Sequence, residues 1–547
     1  MILPKPKSNQ LFNEKIYLHS EMEAYSDAGD QYCKKALTVL NILLTEINVV
    51  IKSGVNGNLS FMYSDTSFVK KEAYHIEFRD EKVIVTYGDE LGARNAAISL
   101  YGLIEKDDKG YFFKACNMTD FPDSEYRGLM LDLGRKFVPV EEIKITIVQM
   151  AKAKYNTLRL HLLESDHNPM QSDVYPQLNE TKRRQYTKNE LREIVDFAAL
   201  FGLEVIPELE MPAHSLFLID RMEELKCRTK HVDPSRWAIC LGSEKTYEIM
   251  GNMIKELTEI FPGEYIHIGT DELEFTDVYK RLKLWPTWDD CELCNKLSER
   301  ERLRGDRELF YYFVRRIYEI ITSLGKKMMM WNDSIDCTVS PPLPRDIRIQ
   351  FWRVAEKGRG PASGSMQRFL EEGFQVVNSY YPETYLDDYI EETKLLKWNP
   401  NATPESTDEV KHLILGGEMC TWGPDNHYER TLPSAVFMFG DKLWNHSDRE
   451  ATSEYRQVLT KAVLGLQTPA NFDVFESLGC CVLPLDKVKM GKPHIVNRSK
   501  AELQANLKIL QALVENNASG QAAAGVYMKC IQYVINEILE INNGKDF

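Results

Sequence analysis

One repeating alternation constrains this chain more than any other feature. From Tyr126 onward, short apolar runs of strand length alternate with longer amphipathic stretches. The strand-like runs are Gly128–Leu133, Thr157–Leu163, Leu203–Leu209, Tyr265–Gly269, Lys327–Trp331, Ile347–Trp352, Gln375–Ser379 and Leu413–Met419. Helical periodicity lies between most of them, as in Glu141–Lys154, Lys188–Phe201 and Glu244–Ile260. Repeated β-then-α units imply parallel strands joined by helical crossovers. Eight units over about 320 residues predict a (β/α)8 TIM barrel with insertions, because the bare fold takes about 250 residues. The competing fold, a doubly wound open sheet, carries a glycine-rich phosphate turn after its first strand. Here that strand runs into Gly134-Arg135-Lys136-Phe137, with no G-x-G-x-x-G.

The chain has 547 residues, more than one core usually holds, so flanking units are expected. Residues 1–122 read as an α+β domain. It has a helical pattern over Asp27–Val49, strands His75–Phe78 and Lys82–Tyr87 joined by a tight turn at Arg79–Glu81, and a helix over Glu90–Glu105. Phe121-Pro122-Asp123 punctuates the boundary to the barrel, residues 123–446. Residues 447–547 read as a C-terminal helical region, clearest at Lys500–Glu515 and Gly520–Ile541.

With 67 basic and 82 acidic residues the net charge is −15, which argues against a dedicated nucleic-acid binder or a binder of anionic membranes. No run reaches the ~18 apolar residues of a membrane span. The start, Met-Ile-Leu-Pro-Lys-Pro-Lys, has no apolar stretch behind its basic residues, so the expectation is a cytoplasmic protein, or a secreted or periplasmic one if the N-terminus was trimmed. Eleven cysteines cannot all pair, and reduced thiols are the simpler reading. Cys291 and Cys294 form a Cys-x-x-Cys, but a structural zinc needs about four ligands. No second Cys-x-x-Cys is present, only the adjacent Cys480–Cys481, so neither metal nor cofactor is expected.

In a TIM barrel the active site lies at the carboxyl ends of the strands. There the sequence places Glu164 and Asp166, then Glu208, Glu210 and His214, then His267 through Glu272. Further round come Trp331-Asn332-Asp333, Trp352, Asn378–Tyr381, Tyr385, Asp387, Glu418 and Trp422. Aromatic faces stack on the C–H surfaces of a sugar, carboxylates bind its hydroxyls, and carboxylates also perform the acid–base work of glycosidic cleavage. Each residue alone is as well explained by rim packing or helix capping. The case rests on their convergence.

These segments carry a resemblance to family 20 glycoside hydrolases, the β-N-acetylhexosaminidases. Tyr126-Arg127-Gly128-Leu129-Met130-Leu131-Asp132-Leu133-Gly134-Arg135-Lys136-Phe137 resembles the family's first barrel strand. His267-Ile268-Gly269-Thr270-Asp271-Glu272 resembles its His-x-Gly-Gly-Asp-Glu signature, with Thr270 at the second Gly. Glu208–His214, Tyr385-Leu386-Asp387 and Gly416–Gly423 also fit, in order and spacing.

The resemblance implies exo-acting, retaining, substrate-assisted hydrolysis of terminal GlcNAc or GalNAc, in which the substrate's 2-acetamido oxygen attacks its own anomeric carbon to give an oxazolinium ion. Glu272 would be the general acid and then base, and Asp271 would orient the acetamido group. Two adjacent carboxylates should split their pKa values, with Glu272 expected to keep the proton. Both can face the site only if the strand breaks into loop, which Gly269 permits. Arg127 would bind the C3 and C4 hydroxyls, and Trp331, Trp352 and Trp422 would wall the pocket. Tyr385 would hydrogen-bond the acetamido oxygen, Asp387 would complete the floor, and Glu164 and His214 would form a supporting polar pair. The family usually has Glu two residues after the last Trp; here that place is Pro424, and Asp425 is the nearest carboxylate.

The expected partner is therefore an oligosaccharide or glycoconjugate ending in N-acetylhexosamine, with no nucleic acid and no membrane, and a homodimer if the C-terminal helices pack on a second copy. The alternatives are a biosidase or sulfo-GlcNAc hydrolase of the same family, or a catalytically silent carbohydrate-binding protein.

Overall fold

The computed structural model describes residues 2–26, 30–55, 57–273, 285–354, 364–386, 392–401, 407–423 and 427–467. The expected helices at Lys500–Glu515 and Gly520–Ile541, and the residues Asp387, Pro424 and Asp425, lie outside the described residues.

The N-terminal part is an eight-stranded sheet, β1 (Ser8–Tyr17), β2 (Glu21–Ser26), β3 (Val50–Ser53), β4 (Leu59–Tyr63), β5 (Tyr74–Arg79), β6 (Lys82–Tyr87), β7 (Ile104–Asp107) and β8 (Gly110–Asp120). Two helices, α1 (Gln31–Leu44) and α2 (Glu90–Gly102), bury their apolar faces in the same core. The β5–β6 hairpin turns through Asp80 and Glu81, at φ 52° and 59°, with Arg79 paired to Lys82. Positive φ at both central residues matches the right-handed twist of the flanking strands.

Eight parallel strands then close a barrel: β9 (Tyr126–Asp132), β10 (Thr157–His161), β11 (Glu204–Glu208), β12 (Tyr265–His267), β13 (Lys327–Trp331), β14 (Arg348–Phe351), β15 (Val376–Asn378) and β16 (Ile414–Thr421), with β16 pairing back to β9. Every expected barrel strand is present. Strands covered on both faces read as continuous apolar runs, so they were legible. Helices follow the strands, including Val140–Lys152, Lys188–Leu200 and Glu244–Thr258. Thr187 and Glu190 close a capping box on the second of these, which sets its start.

Charged side chains hold the N-terminal sheet against the amino end of the barrel. Lys154 Nζ lies 2.8 Å from Asp120 Oδ2, and Trp444 Nε1 donates to Asp120 Oδ1 at 2.9 Å. Arg94 donates to the carbonyls of Tyr155 and Phe201 at 2.9 and 2.8 Å. Arg127, wholly buried, joins this junction. It pairs with Glu72 at 2.5 Å and donates to the carbonyls of Lys154 and Ser124. The helix Ser453–Leu464 continues along the same side, where Lys461 donates to the carbonyl of Ile104 and Leu466 N–H to Glu46.

Candidate active site

The barrel interior becomes ionic near its carboxyl end. Arg159 lies between Glu208 and Glu418, and its Nη2 is 2.6 Å from Glu418 Oε1. Glu208 also meets His161 Nδ1 at 2.8 Å and Trp331 Nε1 at 2.9 Å. Burial alone would discharge His161, but Glu208 and Glu164 raise its pKa to about 9. Arg159 and His161 thus pair with the glutamates around them below the site, which is how buried charge is tolerated.

Strand β12 ends at His267, and the next residues leave extended geometry. Gly269 has φ +64°, Thr270 +83° and Glu272 +53°. A Cβ on Gly269 would stand 2.0 Å from the Glu210 carboxylate, so only glycine fits there. The twist places Asp271 and Glu272 on one side, as the sequence required. A β-branched residue at +83° is strained, and such strain gathers at functional sites. The loop is pinned by Thr270 N–H to Glu210 at 2.8 Å, by Glu272 N–H to Asp333 at 2.9 Å, and by Trp331 N–H to the Gly269 carbonyl at 2.9 Å.

His214 is the hub. Its Nδ1 is 2.8 Å from Glu164 Oε1, and its Nε2 lies 3.6 Å from Asp271 Oδ2 and 3.5 Å from Glu272 Oε2. Burial opposes its charge, but Glu164 and Asp271 raise its pKa well above the usual value, so it is an imidazolium at neutral pH. Trp237 packs on its ring at 4.3 Å and donates from Nε1 to the Glu272 carbonyl. The Glu164–His214 pair is thus present and reaches both catalytic candidates.

The two carboxylates split in the sense opposite to that expected. Burial, aided by Asp333 and Glu272, raises Asp271 to about 6. Burial pushes Glu272 the same way, but His214, Arg353 and Arg135 overcome it and hold Glu272 below its ordinary range. The cations belong to other strands, so adjacency in sequence did not carry this information.

Aromatic rings from neighbouring strand ends form a continuous wall. Trp352 and Tyr385 stack at 6.0 Å with planes 8° apart, Tyr385 meets Trp422 at 5.9 Å, and Trp422 meets Trp331 at 6.0 Å. Burial raises the Tyr385 phenol well above 10, so it stays a neutral donor. Among the described residues, buried Asp271 Oδ1 and Trp352 Nε1 have no hydrogen-bond partner. Buried polar groups are normally paired, so these two suit a polar ligand.

Arg127 is not part of this site. It is the second residue of β9, at the amino end of the barrel, against Glu72. Arg135, just past the carboxyl end of the same strand, is the arginine that reaches the rim. Its guanidinium contacts Asp132 at 2.8 Å and Glu164 at 2.6 Å and lies 5.2 Å from the Trp422 ring centre. Strand direction was the signal that could have found it, since rim residues follow strands rather than precede them. Arg353, Asp333 and Trp237 also join the site.

Arg135→Gln is expected to lower kcat/KM by about 10- to 100-fold, the worth of one or two charge-assisted hydrogen bonds. Arg127→Gln should instead cost about 3–5 kcal/mol of stability by stranding Glu72, with the folded enzyme's kinetics unchanged. Steady-state kinetics and thermal melts on both variants separate the two roles.

The Cys-x-x-Cys reading also needs correction. Cys227 and Cys240, which form no motif with it, converge on Cys291 and Cys294 in a buried cluster.

The family model for glycosyl hydrolase family 20, catalytic domain, matches residues 124–445, more than half of the chain. The beta-hexosaminidase subunit beta of Rattus norvegicus is 26% identical over 402 residues, covering 69% of this chain and 70% of that protein. The beta-hexosaminidase of Porphyromonas gingivalis is 26% identical over 414 residues, covering 69% of this chain and 51% of its own. Among solved structures, the beta-N-acetylhexosaminidase of Bacteroides fragilis superposes with a TM-score of 0.70 at 24% identity, over 84% of this chain and 94% of that one. The exo beta-N-acetylglucosaminidase of Vibrio harveyi in complex with N-acetylglucosamine gives 0.71 at 20% identity, over 84% and 76%. With the matched span coinciding with the closed barrel and its carboxylate rim, the chain belongs to glycosyl hydrolase family 20 and is a glycoside hydrolase.

Proposed function

We propose that this enzyme is an exo-acting, retaining β-N-acetylhexosaminidase whose nucleophile is the substrate's own 2-acetamido group. The observation that carries this reading is that Asp271 and Glu272 both approach one nitrogen, His214 Nε2, at 3.6 and 3.5 Å. Two-carboxylate glycosidases place their carboxyl groups on either side of the scissile bond. Here both approach His214, beside a wall of Trp331, Trp352, Tyr385 and Trp422. That wall offers an apolar slot and a phenolic donor, which suits an acetamido methyl and its oxygen.

In this reading the substrate's acetamido N–H donates to Asp271, whose carboxylate offsets positive charge on the forming oxazolinium. The Tyr385 hydroxyl donates to the acetamido oxygen and aims it at the anomeric carbon. Arg135 binds ring hydroxyls. Glu272 gives its proton to the leaving oxygen and later takes one from water. The Glu272 side chain is 34% exposed in the free enzyme. A sugar seated over it removes that water and raises its pKa toward the acid it must be. The relatives' names support a hexosamine substrate, and the N-acetylglucosamine bound to the Vibrio harveyi enzyme supports GlcNAc as the recognised sugar.

A panel of aryl β-glycosides of GlcNAc, GalNAc, 6-sulfo-GlcNAc, lacto-N-biose and glucose tests this. The expected result is preference for GlcNAc or GalNAc over glucose by several orders of magnitude, with strong inhibition by an N-acetyl thiazoline mimic of the intermediate. Equal rates on the glucoside and the GlcNAc glycoside would leave substrate assistance without a basis. Preference for the sulfated sugar or the disaccharide would favour the corresponding specialised reading.

A further inference from the structure

Away from the catalytic rim, four cysteines from three separate stretches of chain meet in one place. Cys227, Cys240, Cys291 and Cys294 are 2%, 0%, 0% and 1% exposed. Their sulfurs all lie within 4.8 Å of one another. Cys240 Sγ is 3.7 Å from Cys291 Sγ and 3.8 Å from Cys294 Sγ. These separations are far longer than an S–S bond of about 2.05 Å. They match the edge of a tetrahedron: four sulfurs each about 2.3 Å from a central zinc stand about 3.8 Å apart. We propose that these four cysteines bind a structural zinc ion as a closed tetrathiolate site.

The surrounding backbone is built to hold that geometry. Cys291 is the N-cap of the helix Glu292–Glu301, and Cys294 sits in its first turn. The partial positive charge of that helix end offsets thiolate charge. Asp290 accepts the N–H groups of Lys230, His231 and Val232 at 2.9, 2.7 and 3.1 Å, tying the stretch after Cys227 to the stretch before Cys291. Glu292 N–H donates to the Arg228 carbonyl and Cys240 N–H to the Leu225 carbonyl. A Cβ on Gly242 would stand 2.2 Å from the Leu293 carbonyl carbon, so the turn after Cys240 and the helix carrying Cys294 touch backbone to backbone. All four corners are cysteine sulfurs and all are buried, which leaves no open coordination position, as in structural rather than catalytic zinc sites. Of the metals that take tetrahedral S4 sites, zinc alone brings no redox chemistry, and glycoside hydrolysis calls for none.

The site has a mechanical consequence. Trp237 lies three residues before Cys240, and its ring packs on His214 while its Nε1 donates to the Glu272 carbonyl. Trp288, three residues before Cys291, donates to the Ile239 carbonyl at 2.9 Å. The ion therefore staples the arm that positions His214 and Glu272, and Trp237 is a positioning residue acting through them.

The test is elemental analysis of the full-length enzyme produced with zinc in the medium and purified without chelator. The expected result is about one zinc per chain, with four thiols that become reactive only when the metal is released. Cobalt(II) exchanged into the site should give the visible absorption of a tetrahedral tetrathiolate. Cys240→Ser and Cys294→Ser should lose the metal, whereas Cys116→Ser, in the N-terminal sheet, should keep it. Slow zinc release should lower kcat more than it raises KM. Substoichiometric metal, iron in place of zinc, or a disulfide within the four cysteines would overturn the proposal. So would cobalt binding without thiolate bands. The wild-type metal content and the cobalt spectrum decide the matter even if the serine variants fail to fold. Zinc release that leaves kcat unchanged would overturn the coupling to Trp237.

Discussion

Glu272→Gln is expected to cut kcat on an unactivated β-linked GlcNAc disaccharide by about 10²- to 10⁴-fold, the usual worth of a positioned acid–base group. The amide keeps the size of the side chain and the N–H contact to Asp333. The loop that carries it is held by Gly269, Thr270 and Glu210 rather than by the Glu272 carboxyl, so the fold should persist. The sugar contacts on the aromatic wall are untouched, so GlcNAc itself should still bind. A nitrophenyl leaving group departs with little protonation, so an aryl glycoside should lose less in the first step than the disaccharide does. Breakdown of the intermediate still needs a base, and that step then limits turnover. Pre-steady-state assays on the two substrates should therefore show a burst of nitrophenol with the aryl glycoside. Near wild-type turnover of the disaccharide would remove Glu272 from the mechanism.

What could be read from the residues, and what could not, divides along a physical line. The eight barrel strands were legible because burial on both faces writes continuous apolar runs into the sequence. The break after His267 was legible because two adjacent carboxylates cannot share one face of a regular strand, and Gly269 supplied the means. Arg127 was misplaced because the strand-one motif contains two arginines, and only strand direction tells which end each occupies. Arg127 lies in the first two residues of β9 and pairs with Glu72, while Arg135 follows β9 and pairs with Glu164. The split between Asp271 and Glu272 depends on His214 and Arg353, which follow β11 and β14. No local pattern predicts that field. The cysteine cluster was hidden for the same reason. Cys227 and Cys240 are separated from Cys291 by a barrel strand and a helix, and their spacing forms no motif.

Asp271→Asn carries the second large effect, and it has two opposed parts. The carboxylate is the group that would face the positive charge of the intermediate, so its loss should lower kcat by about 10²- to 10³-fold, as for other preorganised electrostatic groups. The same carboxylate destabilises the fold. In the unfolded chain an aspartate ionises near 3.9. In the folded chain burial, Asp333 and Glu272 raise Asp271 to about 6. Between those two values the unfolded state has already released its proton while the folded state still holds it. The unfolded state is therefore favoured progressively as pH rises, and the whole cost is present above about 6. Two units correspond to about 3 kcal/mol. Asparagine has no charge to bury, so Asp271→Asn should be more stable than the wild type at pH 7.5, by up to that amount, with the gain disappearing near pH 4. Urea denaturation at the two pH values measures it. The activity profile gives an independent check. Wild-type kcat/KM should fall as pH drops through about 6, because the protonated acid cannot offset positive charge, and the residual activity of Asp271→Asn should lack that limb. A variant that gains no stability at pH 7.5, or that keeps the acidic limb, would mean that the carboxylate titrating near 6 is not the one that serves the reaction.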